Sequence, residues 1–344
     1  MTTTEHKSPA ILEMTSEMQF TVGTNLTGGL ACAAWRVLLP NLHLSHALFL
    51  GLPKPAVLEV FADLADHITV FSDRAHAHED EKLPENGKRQ ARISQLSESE
   101  DERIPLDDLT ADLIVISEDK FLQKFIDSEV FAAECYRVLA MSGVFYCEMG
   151  QQLWRANRAQ IRKAGFVRSA SYWVTPFSGE LRTAFPAGDS KMAAYLFKNV
   201  LFGQSTKKKM LSRSAELLSR MSVLPKVAPR RSIFLAKANE AAEQQQVPRS
   251  LIDLAAQNGI DFNGLRCGLS ARGKFNANKS IFYLFEPDAE QAKYVVKMTR
   301  APEFNFRLEN EYRSLAHIRE KNYVDAKTYP APLFFGKHAG LVVS

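Results

Sequence analysis

Residues 111–147 read ADLIVISEDKFLQKFIDSEVFAAECYRVLAMSGVFYC, and the order of apolar runs in this stretch decides the fold class. Ala111 to Ile116 is an almost unbroken apolar run closing at Ser117, as in a strand buried on both faces. A helical pattern with Val130, Cys135, Val138 and Leu139 follows. Ser142-Gly143 then turns the chain into a second apolar run, Val144 to Cys147. Strand, helix and strand in this order make a crossover unit, and such crossovers join parallel strands.

The same alternation extends in both directions. Upstream, Ala47-Leu48-Phe49-Leu50 is a buried-strand run ending in Gly51-Leu52-Pro53, with helix-spaced Val57, Leu58, Val60, Phe61 and Leu64 behind it. His67 to Phe71 is the next strand, and Leu30 to Leu39 reads as a short helix stopped by Pro40. Residues 74–103 are charged, with one weak strand pattern over Ala91 to Leu96. Downstream, a helix over Ala156 to Ala164 leads through Gly165 into a strand over Ser169 to Thr175. The sequence therefore predicts a doubly wound, Rossmann-like α/β domain over residues 30–202, after a loose lead-in over 1–29.

With 344 residues the chain is long enough for a second unit. Its charge is divided. Residues 1–150 carry 12 basic against 24 acidic side chains, a net −12; residues 151–344 carry 31 against 15, a net +16, which gives the overall +4. No apolar run reaches 18 residues, so no transmembrane segment is expected. The polar stretch Met1 to Ala10 lacks a secretory signal pattern. Cys32, Cys135, Cys147 and Cys267 are widely spaced with no CxxC pair, which predicts free thiols, a cytoplasmic location and no metal site. His67, His76 and His78 have no partner at ligand spacing, so no catalytic base is assigned.

Residues 203–260 are expected to form a basic helical connector. Lys207, Lys208, Lys209, Arg213 and Arg220 alternate there with Met210, Leu211, Leu217, Leu218 and Met221. The stretch 205–231 is the candidate for contact with an anionic membrane surface, against the competing reading of a solvated interdomain helix. A nucleic-acid partner is disfavoured because no aromatics interleave with these basic residues.

Four places in residues 40–185 together resemble class I S-adenosylmethionine-dependent methyltransferases. They are Ile104-Pro105-Leu106 ahead of Ala111 to Val115, Glu134-Cys135-Tyr136-Arg137-Val138-Leu139 with Ser142-Gly143, Ala164-Gly165-Phe166, and Leu50-Gly51 followed 22 positions later by Asp73. The resemblance implies S-adenosylmethionine at the carboxyl ends of the strands, contacting Gly51, Asp73, the Asp101 region and Ser117. It also implies a small-molecule or glycan/glycolipid acceptor entering near Tyr172, Trp173 and Glu180. The turn Gly51-Leu52-Pro53-Lys54-Pro55 departs from the family's G-x-G, and its two prolines lack backbone donors. A non-catalytic, scaffold-type domain is the rival reading.

Residues 261–344 resemble the small lobe of aminoglycoside-phosphotransferase-like and protein kinases. Strands are expected over Leu265 to Ser270, Ser280 to Phe285, Tyr294 to Lys297, Leu333 to Phe335 and Leu341 to Val343, with a helix over Arg307 to Ile318. The resemblance implies a vestigial ATP site at Gly268, Gly273, Lys297 and Glu311, with Glu309 as a second partner for the lysine. ATP and magnesium, and hence phosphoryl transfer, are expected only together with a large lobe. The sequence sets no oligomeric state.

Overall fold

The computed structural model describes residues 32–72, 91–97, 102–175, 183–200, 206–221, 231–238, 246–273, 275, 277–321 and 330–344. Five strands run parallel in the arrangement expected of crossover units. They are β1 (Leu44–Leu50), β2 (Ala65–Ser72), β3 (Arg92–Ser97), β4 (Ala111–Ile116) and β5 (Leu139–Met149), lying side by side as β3-β2-β1-β4-β5. The order reverses between β1 and β4, the switch point of a doubly wound sheet. β1 is buried from Leu48 to Leu50 because both faces of the sheet are covered.

One face packs Phe49 against Phe61, from α1 (Pro55–Ala62), and places Trp35 parallel to the Tyr146 ring at 3.8 Å. Trp35 belongs to a 3-10 helix over Ala34–Leu38, inside the stretch Leu30 to Leu39 expected as a short helix. The other face packs Phe71 and Phe145 against Phe121, Phe125 and Phe131. Those three rings come from α2 (Asp119–Asp127) and α3 (Glu129–Val138). Ser128 divides these helices: it ends the first and caps the second by accepting a 3.1 Å bond from Phe131 N. Val130, placed on the core face by the sequence pattern, is exposed, and Phe131 takes the buried position instead.

Beyond β5 the sheet turns antiparallel. After α4 (Gln151–Lys163) comes β6 (Phe166–Thr175), which forms a hairpin with β7 (Thr183–Pro186). β8 (Arg231–Lys237) lies between β5 and β6, antiparallel to both. The stretch expected as a helical connector thus supplies a fully buried strand of the central sheet. Its apolar segment Ile233 to Ala236 is short enough to be masked by the charges around it. Two helices, α5 (Ser190–Asn199) and α6 (Thr206–Arg220), pack together outside the β6–β7 hairpin, and α7 (Arg249–Ala256) follows β8.

The remaining strands continue the same sheet. β9 (Arg266–Ser270) pairs with β7 and with β10 (Lys279–Phe285), which pairs with β11 (Tyr294–Thr299). β13 (Leu341–Val343) joins β11 to the edge strand β12 (Gly336–His338). The expected strand over Leu333 to Phe335 is not formed; Phe334 is instead a buried plug against Phe262. α8 (Asn305–Glu320) lies against this antiparallel part. One apolar core runs from Trp35 and Phe49 through Leu251 and Phe262 to Phe282 and Met298. Among the described residues no helix is long and apolar enough to cross a membrane.

Candidate functional site

The switch point between β1 and β4 brings Leu50-Gly51-Leu52 beside Ser117-Glu118 at the carboxyl edge of the sheet. Ser117 N donates to Leu50 O at 2.8 Å, and Gly51 N donates to Phe71 O at 2.8 Å. Gly51 has φ +89°, a backbone state that side chains resist, so the turn needs glycine. Glu118 fills the space the missing side chain leaves. Its Oε1 accepts the Leu52 N–H at 2.7 Å, Lys120 Nζ lies 2.9 Å from its Oε2, and a Cβ on Gly51 would stand 2.6 Å from its Cγ. Glu118 was not singled out by the sequence. It lies next to Ser117, which the structure does bring to Gly51, and nothing in an E-D-K run distinguishes a side chain turned inward.

Asp73 and Asp101 lie outside the described residues. The segment Ile104-Pro105-Leu106 is held by the helix it was paired with in sequence. Arg137 donates to Ile104 O at 2.9 Å, Leu106 O at 2.8 Å and Asp108 Oδ1 at 2.6 Å, while Glu134 accepts from Ile104 N at 3.2 Å. The Arg137 guanidinium beside Glu134 holds its carboxyl below the usual carboxylate range, and the carboxylates push Arg137 up. These motif residues therefore perform a structural task. Gly165, at φ +95°, lies against the Tyr136 ring, where a Cβ would come within 2.7 Å.

Further along the edge, Tyr146 Oη donates to Glu148 Oε1 at 2.9 Å and lies 3.0 Å from Ser232 Oγ. Burial pushes the Tyr146 hydroxyl well up. Buried Arg231 donates to Gln151, and burial together with the nearby Arg168 and Arg155 lowers its pKa. Tyr172 and Trp173, expected near an acceptor entrance, are both buried in β6; Glu180 lies outside the described residues.

In the antiparallel part, Glu311 of α8 takes Lys297 of β11 on one carboxylate oxygen and Lys279 of β10 on the other. The second lysine was not anticipated. Burial lowers the pKa of both lysines. Glu309 pairs with Lys337 at 3.3 Å rather than with Lys297. Gly273, at φ +94°, faces Asn278 in the β9–β10 turn, and Arg300 donates to Gly273 O and Arg272 O at 2.8 Å each. Gly268 sits within β9, where a Cβ would come 2.8 Å from Met192 Sδ of α5, so helix packing accounts for this glycine. Among the described residues, cavities of about 160–670 Å³ open beside Tyr172, Tyr195, Leu333 and Leu39, away from Gly51 and Lys297. Among the described residues no three His, Cys, Asp or Glu gather as metal ligands, and all four cysteines are unpaired.

No protein-family model and no curated protein matches this chain. Solved structures that match part of the chain include a TehB-like SAM-dependent methyltransferase from Corynebacterium glutamicum, 11% identical, covering 61% of this chain and 88% of that one at a TM-score of 0.35. They also include the N-methyltransferase NodS from Bradyrhizobium japonicum, 12% identical over 62% and 93% at 0.31. A third is spermidine synthase from Thermotoga maritima, 12% identical over 60% of each chain at 0.32. Overlaps this loose transfer no reaction. The doubly wound assignment rests on the strand order and the switch point themselves.

Proposed function

We propose that the doubly wound unit is an S-adenosylmethionine-dependent methyltransferase acting on a small molecule or glycoconjugate, with Gly51 and Ser117 at its cofactor edge. The observation that carries this reading is the juxtaposition of a positive-φ glycine turn with the β4 end at the switch point. As it stands, the turn does not fit the cofactor. Its Leu52 N–H is engaged by Glu118, the Glu118 stem fills the glycine space, and Pro53 and Pro55 offer no donors. Methyl transfer on this reading requires Glu118 to leave the turn.

A second reading follows from the same contact: a methyltransferase-like scaffold whose turn is permanently closed by Glu118. Calorimetric titration with S-adenosylmethionine separates the two. The catalytic reading expects the intact chain to bind and Glu118→Ala to bind more tightly. Absence of binding by both proteins at millimolar cofactor would establish the scaffold. For residues 261–344 we propose a kinase-like small lobe. The Lys297–Glu311 pair supports it, and ATP would be held only where a large lobe completes the site.

A further inference from the structure

Helix α6 is oriented opposite to what the hydrophobic effect asks of a surface helix. Its inner face is made of small residues: Ala215 and Ser219 are buried, and Ser212 Oγ donates to Phe197 O of α5. At 100° per residue, Met210, Leu217 and Met221 fall on the opposite line and point outward, exposed by 73%, 59% and 62%. Leu211 and Leu218 flank that line on one side and are also exposed. Lys209, Arg213 and Arg220 flank it on the other, all exposed. Five of the twelve exposed large apolar side chains among the described residues lie on this one stretch, so they form a patch rather than the usual scatter.

We infer that α6 lies flat in the interface of an anionic lipid bilayer, with Met210, Leu217 and Met221 inserted among the acyl chains and the flanking basic residues at headgroup level. Charge selects this occupant. Residues 206–221 carry five basic side chains against Glu216, a net +4, and Glu216 is turned aside onto Arg220 at 3.0 Å. A second copy of the chain would bring an equally positive helix to the same face, and like charges oppose that contact. No aromatic side chain stands on the face to stack a nucleic-acid base. An apolar ridge with a basic flank is the composition of helices that lie in a membrane interface. The inference is independent of the methyltransferase reading, since α6 contributes nothing to the Gly51 turn.

The test is co-sedimentation of the full chain with vesicles of phosphatidylcholine alone and of phosphatidylcholine mixed with phosphatidylglycerol. Binding is expected to the mixed vesicles only, and to fall with added salt. Changing Lys209 and Arg213 together to Gln should weaken partitioning about 25-fold, at about five-fold per basic residue near the surface. The triple variant Met210→Ser, Leu217→Ser, Met221→Ser should also release the chain while leaving its thermal melt unchanged, because all three side chains are already in water. Failure to bind mixed vesicles, or equal binding by both variants, would overturn the inference. So would velocity sedimentation showing a self-associated species that the serine variant dissolves.

Discussion

Replacing Gly51 with Ala tests the closed turn directly, and its effect can be worked out from two separate contributions. The first is conformational: an L-residue held at φ +89° costs about 1–3 kcal/mol. The second is steric, because the new Cβ would stand 2.6 Å from Glu118 Cγ and 2.8 Å from its Cβ. Glu118 must then leave, and its bond to Leu52 N–H is lost. A hydrogen bond to a charged group contributes about 1.5–3 kcal/mol, and the partial exposure of Glu118 places this one at the lower end. Gly51→Ala should therefore destabilise the chain by about 2.5–4.5 kcal/mol in urea denaturation. In a Glu118→Gly background, which removes the Cβ as well as the Cγ, the same change should cost only the conformational part, about 1–3 kcal/mol. The cycle isolates the contact between the two residues. An identical loss in both backgrounds would refute the idea that Glu118 occupies the glycine space.

Other perturbations have equally definite outcomes. Arg300→Met removes the two bonds that hold the β9–β10 turn and should cost about 1.5–3 kcal/mol, with faster amide exchange at Arg272 and Gly273. Unchanged exchange there would show that the turn is fixed by other contacts. Glu311→Gln leaves Lys279 and Lys297 facing each other without a carboxylate, so it should destabilise more than Lys279→Met; the reverse order in denaturation midpoints would contradict the shared pair. Burial lowers the pKa of His46, which bonds Thr69 Oγ1 at 2.7 Å, and of His338. The unfolded chain then takes up protons first as pH falls below about 6.5, so stability is full above that pH and declines beneath it. His46→Gln should flatten the decline between pH 7 and 5, and an unchanged slope would assign it to other groups.

How far the sequence could be read depends on what kind of signal each element carries. β1, β2 and β4 each hold a short run buried on both faces, Ala47 to Leu50, Ile68 to Phe71 and Leu113 to Val115, so they stand out without knowledge of the partners. β8 has the same buried character but begins with Arg231-Ser232 after a basic, proline-containing stretch, and charge composition pointed to a connector. Its position between β5 and β6 is a long-range pairing that local pattern does not encode. The same holds for β7 meeting β9: the four-residue strand Thr183–Pro186 is too short to show a period, yet it joins the two parts of the sheet. Of the residues the two resemblances imply, Gly51 and Ser117 come together at the sheet edge and Lys297 pairs with Glu311. Glu118 and Lys279 escaped because a charged residue at an element's end looks alike whether it faces solvent or a neighbour. Gly268, which the kinase resemblance places at a nucleotide site, lies against Met192, a contact that only the packed helix reveals.

On the methyltransferase proposal, the carboxyl edge between β1 and β4 receives S-adenosylmethionine once Glu118 has left the turn. Ultraviolet cross-linking of radiolabelled cofactor to the full chain, followed by peptide mapping, tests it most directly. Saturable label is expected in the peptides containing Gly51 and Ser117, increased by Glu118→Ala and displaced by excess unlabelled cofactor. Label confined to other peptides, or no saturable label in either protein, would contradict it.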